Sequence, residues 1–216
     1  MALAEIPGAE QGHDRAAWRR LQTQAGRWLA CEAAARLTGA RPEDFEITGG
    51  GNAPPRVAGF PCGTEALVIA ITHSGAWVGA AAAIGLGGIG IDVQQVSLRP
   101  VERLAGFMHW TTLLASADGS ALTDPDAFTH LWTLWEASVK CDGAALLARS
   151  TPAFGNLSAL CVPGIAGSYA AGGYRAASSR VAPGYWLSIV TRNCTPDIQT
   201  LAIHRLQFEP SALRRF

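Results

Sequence analysis

Three short stretches of this chain combine residue types that could do chemistry. In Ile-Gly-Ile-Asp-Val-Gln (89–94), Asp92 stands inside an apolar run, and the two-residue period of a strand puts Gln94 on the same face. A carboxylate in such a run needs a hydrogen-bonding partner or a cation, because burying it alone is costly. In Leu-Trp-Thr-Leu-Trp-Glu-Ala-Ser-Val-Lys (131–140), Trp132, Glu136 and Lys140 are four apart and share one helix face, with Trp135 beside them on the stripe of Leu131. An exposed Glu–Lys pair at this spacing contributes only about 0.2–0.5 kcal/mol. Composition sets this pair apart, since the chain carries sixteen Arg and a single Lys, Lys140, and an ordinary surface pair here would be expected to use Arg. In Ile-Thr-His-Ser (71–74), an apolar run ends with His73 between two hydroxyls, Thr72 and Ser74. That pattern suits a hydrogen-bonded structural His or a donor facing a phosphate. Arg15, Arg19, Arg20, Arg27 and Arg36 cluster near the N-terminus. They read as a solvated helix face, or in part as bidentate grips on phosphate.

A fourth stretch, Gly-Leu-Gly-Gly-Ile-Gly (85–90), matches the spacing of the dinucleotide fingerprint. That fingerprint requires a helix to start within it, so that the helix N-terminus meets the pyrophosphate. Here a strand-like run follows, so the glycines are expected to form a hairpin turn.

The elements that must position these residues follow from periodicity. Residues 14–37 repeat apolar side chains at spacings of three and four, the mark of an amphipathic helix, and Gly39 is a natural stop. Residues 42–63, rich in Gly and Pro, read mostly as loop. Residues 66–72, 77–84 and 89–96 read as strands. Helical patterns are expected at 100–107 and 111–117. A stronger one runs over 125–142, opened by Asp124 and Pro125 and ended by Gly143. Strand-like runs at 157–162, 174–181, 185–191 and 201–208 complete the chain. This order lacks the regular alternation of a parallel α/β sheet and predicts an α+β protein.

Bulk properties narrow the functional classes. The 216 residues are enough for one large domain or two small lobes. Apolar residues make up 49% of the chain and charged residues 16%, which argues against disorder. The zero formal charge argues against a dedicated nucleic-acid binder, whose affinity rests on many phosphate-neutralising cations. Five cysteines, Cys31, Cys62, Cys141, Cys161 and Cys194, show no paired spacing and read as buried thiols in a reducing compartment. The first residues have no basic n-region followed by an apolar stretch, so no signal peptide is expected. The uncharged stretch 75–91 is too short and too rich in Ala and Gly for a membrane span, which leaves a cytoplasmic location as the expectation.

Taken in order, ITHS, a strand, GIDV, an intervening helical region and FTHLWTLWEASVK resemble the surfactin-synthetase type of 4′-phosphopantetheinyl transferase. That family shows an I-S-H-S-like segment, then G-[IV]-D-[IV]-E, then F-x-x-x-W-[ST]-x-K-E-[SA]-x-x-K. The early AGRWLACEAAAR and the late PGYWLSIVT are similar to the family's Arg-bearing first helix and closing strand, so that the likeness spans about residues 27–191. The resemblance implies two similar α+β lobes, 1–87 and 88–216, related by a pseudo-two-fold, with the cofactor cleft between them, and a monomer. It implies transfer of phosphopantetheine from coenzyme A to a serine of an apo acyl, polyketide or peptidyl carrier protein, with Mg²⁺ and release of 3′,5′-ADP. It also implies roles: Asp92 and Glu136 as metal carboxylates, Gln94 beside them, Lys140 on phosphate, His73 and Thr72 on the nucleotide, and Arg27 on the coenzyme. The chain departs from the pattern at three places. Gln94 replaces a third carboxylate, Trp135 replaces the Lys before the Glu, and Phe60 stands where a G-K-P lysine is expected. The alternative is a diverged member that binds a carrier protein or a coenzyme-A-like ligand with little or no transfer.

Overall fold

Asp14 opens the first helix by accepting the Ala16 N–H at 3.2 Å, and Gly39, at φ 74°, closes it. Left-handed backbone of this kind favours glycine. The helix, α1 (Arg15–Thr38), is preceded by strand β1 (Ala2–Glu5) and followed by a short 3-10 turn, Pro42–Asp44. Next come β2 (Glu46–Gly50), β3 (Ala53–Ala58), β4 (Leu67–Ser74), β5 (Trp77–Ile84) and β6 (Gly88–Gln95). The second long helix is α2 (Pro125–Asp142). Asp124 caps it by accepting the Asp126 N–H at 2.9 Å, and Gly143 ends it at φ 62°. A short α3 (Pro152–Ser158) leads into β7 (Gly167–Ala171), β8 (Tyr174–Ala182), β9 (Tyr185–Arg192) and β10 (His204–Arg205). This structure, a computed structural model, describes residues 1–7, 14–50, 53–58, 67–97, 124–144, 151–192 and 204–206. The helical patterns at 100–107 and 111–117, Phe60, Cys62 and Cys194 lie outside the described residues. Among the described residues no helix is long and apolar enough to cross a membrane.

The protein is mixed α+β, as its element order predicts. Strands β10-β1-β5-β4 form one four-stranded sheet, antiparallel except for the β1–β10 pair. Strands β6-β9-β8-β7 form a second, wholly antiparallel. β2 and β3 make a separate hairpin. Alternation along the strands sorts the apolar side chains into three layers of core. Ile69, Val78 and Ala80 face α1, where Ala25, Leu29 and Ala33 meet them. Leu3, Ala70 and Ala81 point the other way, against Ile91, Val93, Leu187 and Ile189 of the second sheet. Tyr174, Ala176 and Val190 then face α2 and α3, with Leu131, Leu134, Trp135 and Phe154. The order of layers is therefore helix, sheet, sheet, helix.

Several expectations are corrected. The glycines at 85–90 do not turn a hairpin, because β5 pairs with β1 and β4 whereas β6 pairs with β9. They mark the point where the chain leaves one sheet for the other. They also give α2 room, since a β-carbon on Gly88 or Gly90 would run into the Cys141 or Ala137 carbonyl. The expected strand at 157–162 is instead the end of α3 and a turn. Pro152 in the first turn and the Thr151 hydroxyl, which accepts the Phe154 N–H at 3.2 Å, are helix-start signals that prevail over a local apolar run. The stretch read as loop carries the β2–β3 hairpin. Strands β1 and β7 were not foreseen from periodicity, being only 4 and 5 residues long. His204–Arg205, within the segment assigned to the second lobe, adds an edge strand to the first sheet.

Candidate functional site

β6 supplies the centre. Gly88, Gly90 and Asp92 alternate onto the face covered by α2, and the glycines let the helix backbone lie against the strand. Asp92 is thereby covered and only 2% exposed. α2 brings two side chains over it. Lys140 Nζ donates to Asp92 Oδ1 at 2.7 Å and to the Ile91 carbonyl at 3.0 Å. Glu136 Oε2 lies 3.9 Å from Lys140 Nζ, and Trp132 Nε1 donates to Glu136 Oε1 at 2.9 Å. The i, i+4 spacing read from the sequence thus sets one face of α2 as Trp132, Glu136, Lys140, in contact from one residue to the next.

β4 approaches the same carboxylate from the other side. Thr72 Oγ1 donates to Asp92 Oδ1 at 2.9 Å and accepts the Val93 N–H at 3.0 Å. Asp92 Oδ1 therefore receives donors from both elements, while the buried Asp92 Oδ2 meets no donor, and the carboxyl group lies within hydrogen-bonding reach of Glu136, a contact that needs a shared proton or a cation. Burial first, and then the Glu136 carboxylate, push Asp92 well above the usual carboxylate range, against the pull of Lys140. Asp92 and Glu136 form a close acidic pair that one lysine only partly balances. Such a site favours uptake of a proton or a cation.

The remaining expected residues are placed unequally. His73, next to Thr72, is an exposed residue, yet partial desolvation and then Lys140 hold its pKa below the ordinary value, with Glu136 acting the other way and Arg19 assisting. It therefore belongs to the same electrostatic neighbourhood as Lys140 and Glu136. Gln94 is half-buried, one alternation beyond Asp92 on β6. Arg27 is turned to the β2–β3 hairpin, where its guanidinium donates to the Gly49 carbonyl at 3.1 Å. Trp135, one of the departures from the family pattern, packs inward. Its ring is 3% exposed and lies in the core with Leu131, Phe128 and Phe154, beside Trp132 at a centroid distance of 4.9 Å. Position 135 thus serves packing beneath α2 in this chain.

Two features escaped the sequence reading. Trp132 orients Glu136, a role its spacing could have suggested. Beneath the site, Ser188 stands opposite Asp92 in the β6–β9 register, and its hydroxyl is 2.9 Å from Thr133 Oγ1 and 2.8 Å from Ser178 Oγ. Nothing in the local sequence distinguishes Ser188 from any other strand serine.

Among the described residues no group of three or more His, Cys, Asp and Glu gathers as a metal cage. Mg²⁺ does not require one, since it commonly takes one or two carboxylates and completes its octahedron with water and substrate phosphate. Asp92 Oδ2, which no donor reaches, and the nearby Glu136 fit such an ion. No protein-family model matches the chain, and no curated protein matches it.

Proposed function

We propose that this protein transfers the 4′-phosphopantetheine group of coenzyme A to a serine of an apo acyl, polyketide or peptidyl carrier protein, releasing 3′,5′-ADP. The observation that carries the reading is the meeting of Lys140 and Glu136 at the buried Asp92 carboxylate, one oxygen of which no donor reaches. The order of ITHS, GIDV and WTLWEASVK along the chain supports it, as do two helix-on-sheet units, which suit a 4′-phosphopantetheinyl transferase fold with its cleft between lobes. The same reading makes the protein a cytoplasmic monomer.

Asp92, Glu136 and, through its neutral oxygen, Gln94 would hold Mg²⁺, which when bound neutralises charge on the reacting phosphates. Lys140 stays beside Asp92 and offers its ammonium to a phosphate oxygen. His73 would meet the rest of the coenzyme, and Arg27 would join it only by leaving the Gly49 carbonyl. Glu136, fixed by Trp132, takes the proton of the attacking serine hydroxyl as its oxygen bonds to the β-phosphorus and the bond to 3′,5′-ADP breaks.

The test is intact mass of apo carrier proteins incubated with this protein, coenzyme A and Mg²⁺, beside an Asp92→Ala control. A gain of one phosphopantetheine that needs Asp92 supports transfer. A well-folded protein that modifies no carrier overturns it.

A second reading is favoured by the Lys140 ammonium, already engaged by Asp92 and the Ile91 carbonyl. On that reading the same fold binds a carrier protein or a coenzyme-A-like ligand without transfer. Coenzyme A binding by calorimetry with no mass gain on any carrier would select it.

A further inference from the structure

β4 and β6 belong to different sheets, and side-chain hydroxyls join them. Thr72 Oγ1 accepts the Val93 N–H at 3.0 Å, and two residues on Ser74 Oγ accepts the Gln95 N–H at 3.1 Å. The two bonds do the same work along the seam. They differ in one respect, since Thr72 Oγ1 also donates to Asp92 Oδ1. A hydroxyl has one proton to give, and here it is given to the carboxylate. Thr72 is 3% exposed, so its hydroxyl is not free to turn to solvent. With Lys140 as the second donor, Oδ1 is held from two directions. Rotating the carboxylate to exchange its oxygens would break both bonds at once.

We infer that Thr72 is a positioning residue, whose hydroxyl holds Asp92 Oδ1 so that Oδ2, which no donor reaches, is kept as the ligand atom for a divalent cation beside Glu136. This gives Thr72 a task other than the nucleotide contact expected from the sequence. The inference rests on the cation reading above. Residues that orient a metal ligand without touching the metal commonly alter affinity by about 10–100-fold when replaced.

The test uses the full chain and Mn²⁺ alone, with free Mn²⁺ followed by electron paramagnetic resonance. Thr72→Val keeps shape and removes the hydroxyl, and it is expected to weaken binding about tenfold. Thr72→Ser, which restores the hydroxyl, is expected to recover most of the affinity. Ser74→Ala removes the equivalent seam bond without touching Asp92 and is expected to leave affinity unchanged. Should Val at position 72 prevent folding, Thr72→Ala carries the same expectation. Unchanged affinity in the position-72 variant, or an equal loss in Ser74→Ala, overturns the inference.

A second readout separates this result from failure of the cation reading. Lys140 is the only lysine, so protein labelled with [ε-¹³C]lysine gives one lysine signal. Asp92→Asn and Thr72→Val are expected to move that signal, and Ser74→Ala to leave it in place. If the parent protein binds no Mn²⁺, the cation reading fails, and the cation part of the inference falls with it. A signal that moves then retains the orientation of Asp92 by Thr72, while a signal that stays in Thr72→Val overturns that as well.

Discussion

The carbonyl oxygen of Ala137 occupies the place where a β-carbon on Gly90 would have to be. Helix α2 can lie on β6 only because residues 90 and 88 have no side chains, and that contact is what sets Lys140 and Glu136 over Asp92. Position 90 therefore governs the site without taking part in its chemistry.

Gly90→Ala is expected to force α2 off the strand. Overpacking against a backbone that cannot yield costs about 3 kcal/mol, equivalent to a fall of about 6–12 °C in Tm for a chain of this size. Thermal unfolding measures it, and an unchanged midpoint would show that α2 does not depend on this contact.

Lys140→Met leaves Asp92 buried without its cation. The expected loss is about 3 kcal/mol at neutral pH, shrinking as the pH falls and Asp92 takes up a proton. Asp92→Asn in the same background removes the stranded charge and recovers most of the loss. A double-mutant cycle in urea reads the coupling, and additive single effects would rule out the ion pair as a stabilising unit.

Trp135→Lys inserts an ammonium into the α2–α3 core and removes a large ring. A loss of about 4 kcal/mol is expected, with no gain in transfer rate. Urea unfolding and the carrier mass assay check the two parts. A stable variant with a faster rate would return position 135 to the site.

His130 is fully buried, stacked on Trp186 at 4.2 Å, and its Nδ1 accepts the Gly164 N–H at 3.1 Å. Burial lowers its pKa from 6.5 to about 4, with Asp126 opposing and Arg180 assisting. The thiol of Cys161, 3.8 Å away, is pushed up to about 11 by burial and stays neutral. The unfolded chain therefore takes a proton on this His before the folded one does. The stability that neutral His130 confers is whole above about pH 6.5 and is lost as the pH falls towards about 4, a change of ~3 kcal/mol. Urea midpoints of the parent and His130→Gln across that range isolate it. Parallel pH profiles would disprove the assignment.

Much of the frame can be read along the chain because its signals are local. α1 and α2 announce themselves through Asp14 and Asp124 at their starts, Gly39 and Gly143 at their ends, and a 3.6-residue apolar period between. β4, β5, β6, β8 and β9 announce themselves as apolar or alternating runs. β1, β7 and the β2–β3 hairpin are too short, or too poor in apolar residues, for periodicity to register. Their stability comes from partners, as when Ala2–Glu5 is held between β5 and β10, some 75 and 200 positions away in sequence.

The α+β class, the two long helices and the spacing that places Trp132, Glu136 and Lys140 on one face are all legible from consecutive residues. The sequence also singled out Asp92 as a carboxylate in need of a partner. Which partner that is emerges from packing, as do the sharing of Asp92 Oδ1 by Thr72 and Lys140, the lack of a donor at Oδ2, the inward face of Trp135 and the turn of Arg27 to Gly49. Packing also decided that the glycines at 85–90 connect two sheets. The reason is physical: period and capping act over a few residues and are written in consecutive positions, whereas strand partners and the sharing of one oxygen depend on surfaces that meet only after the layers have packed.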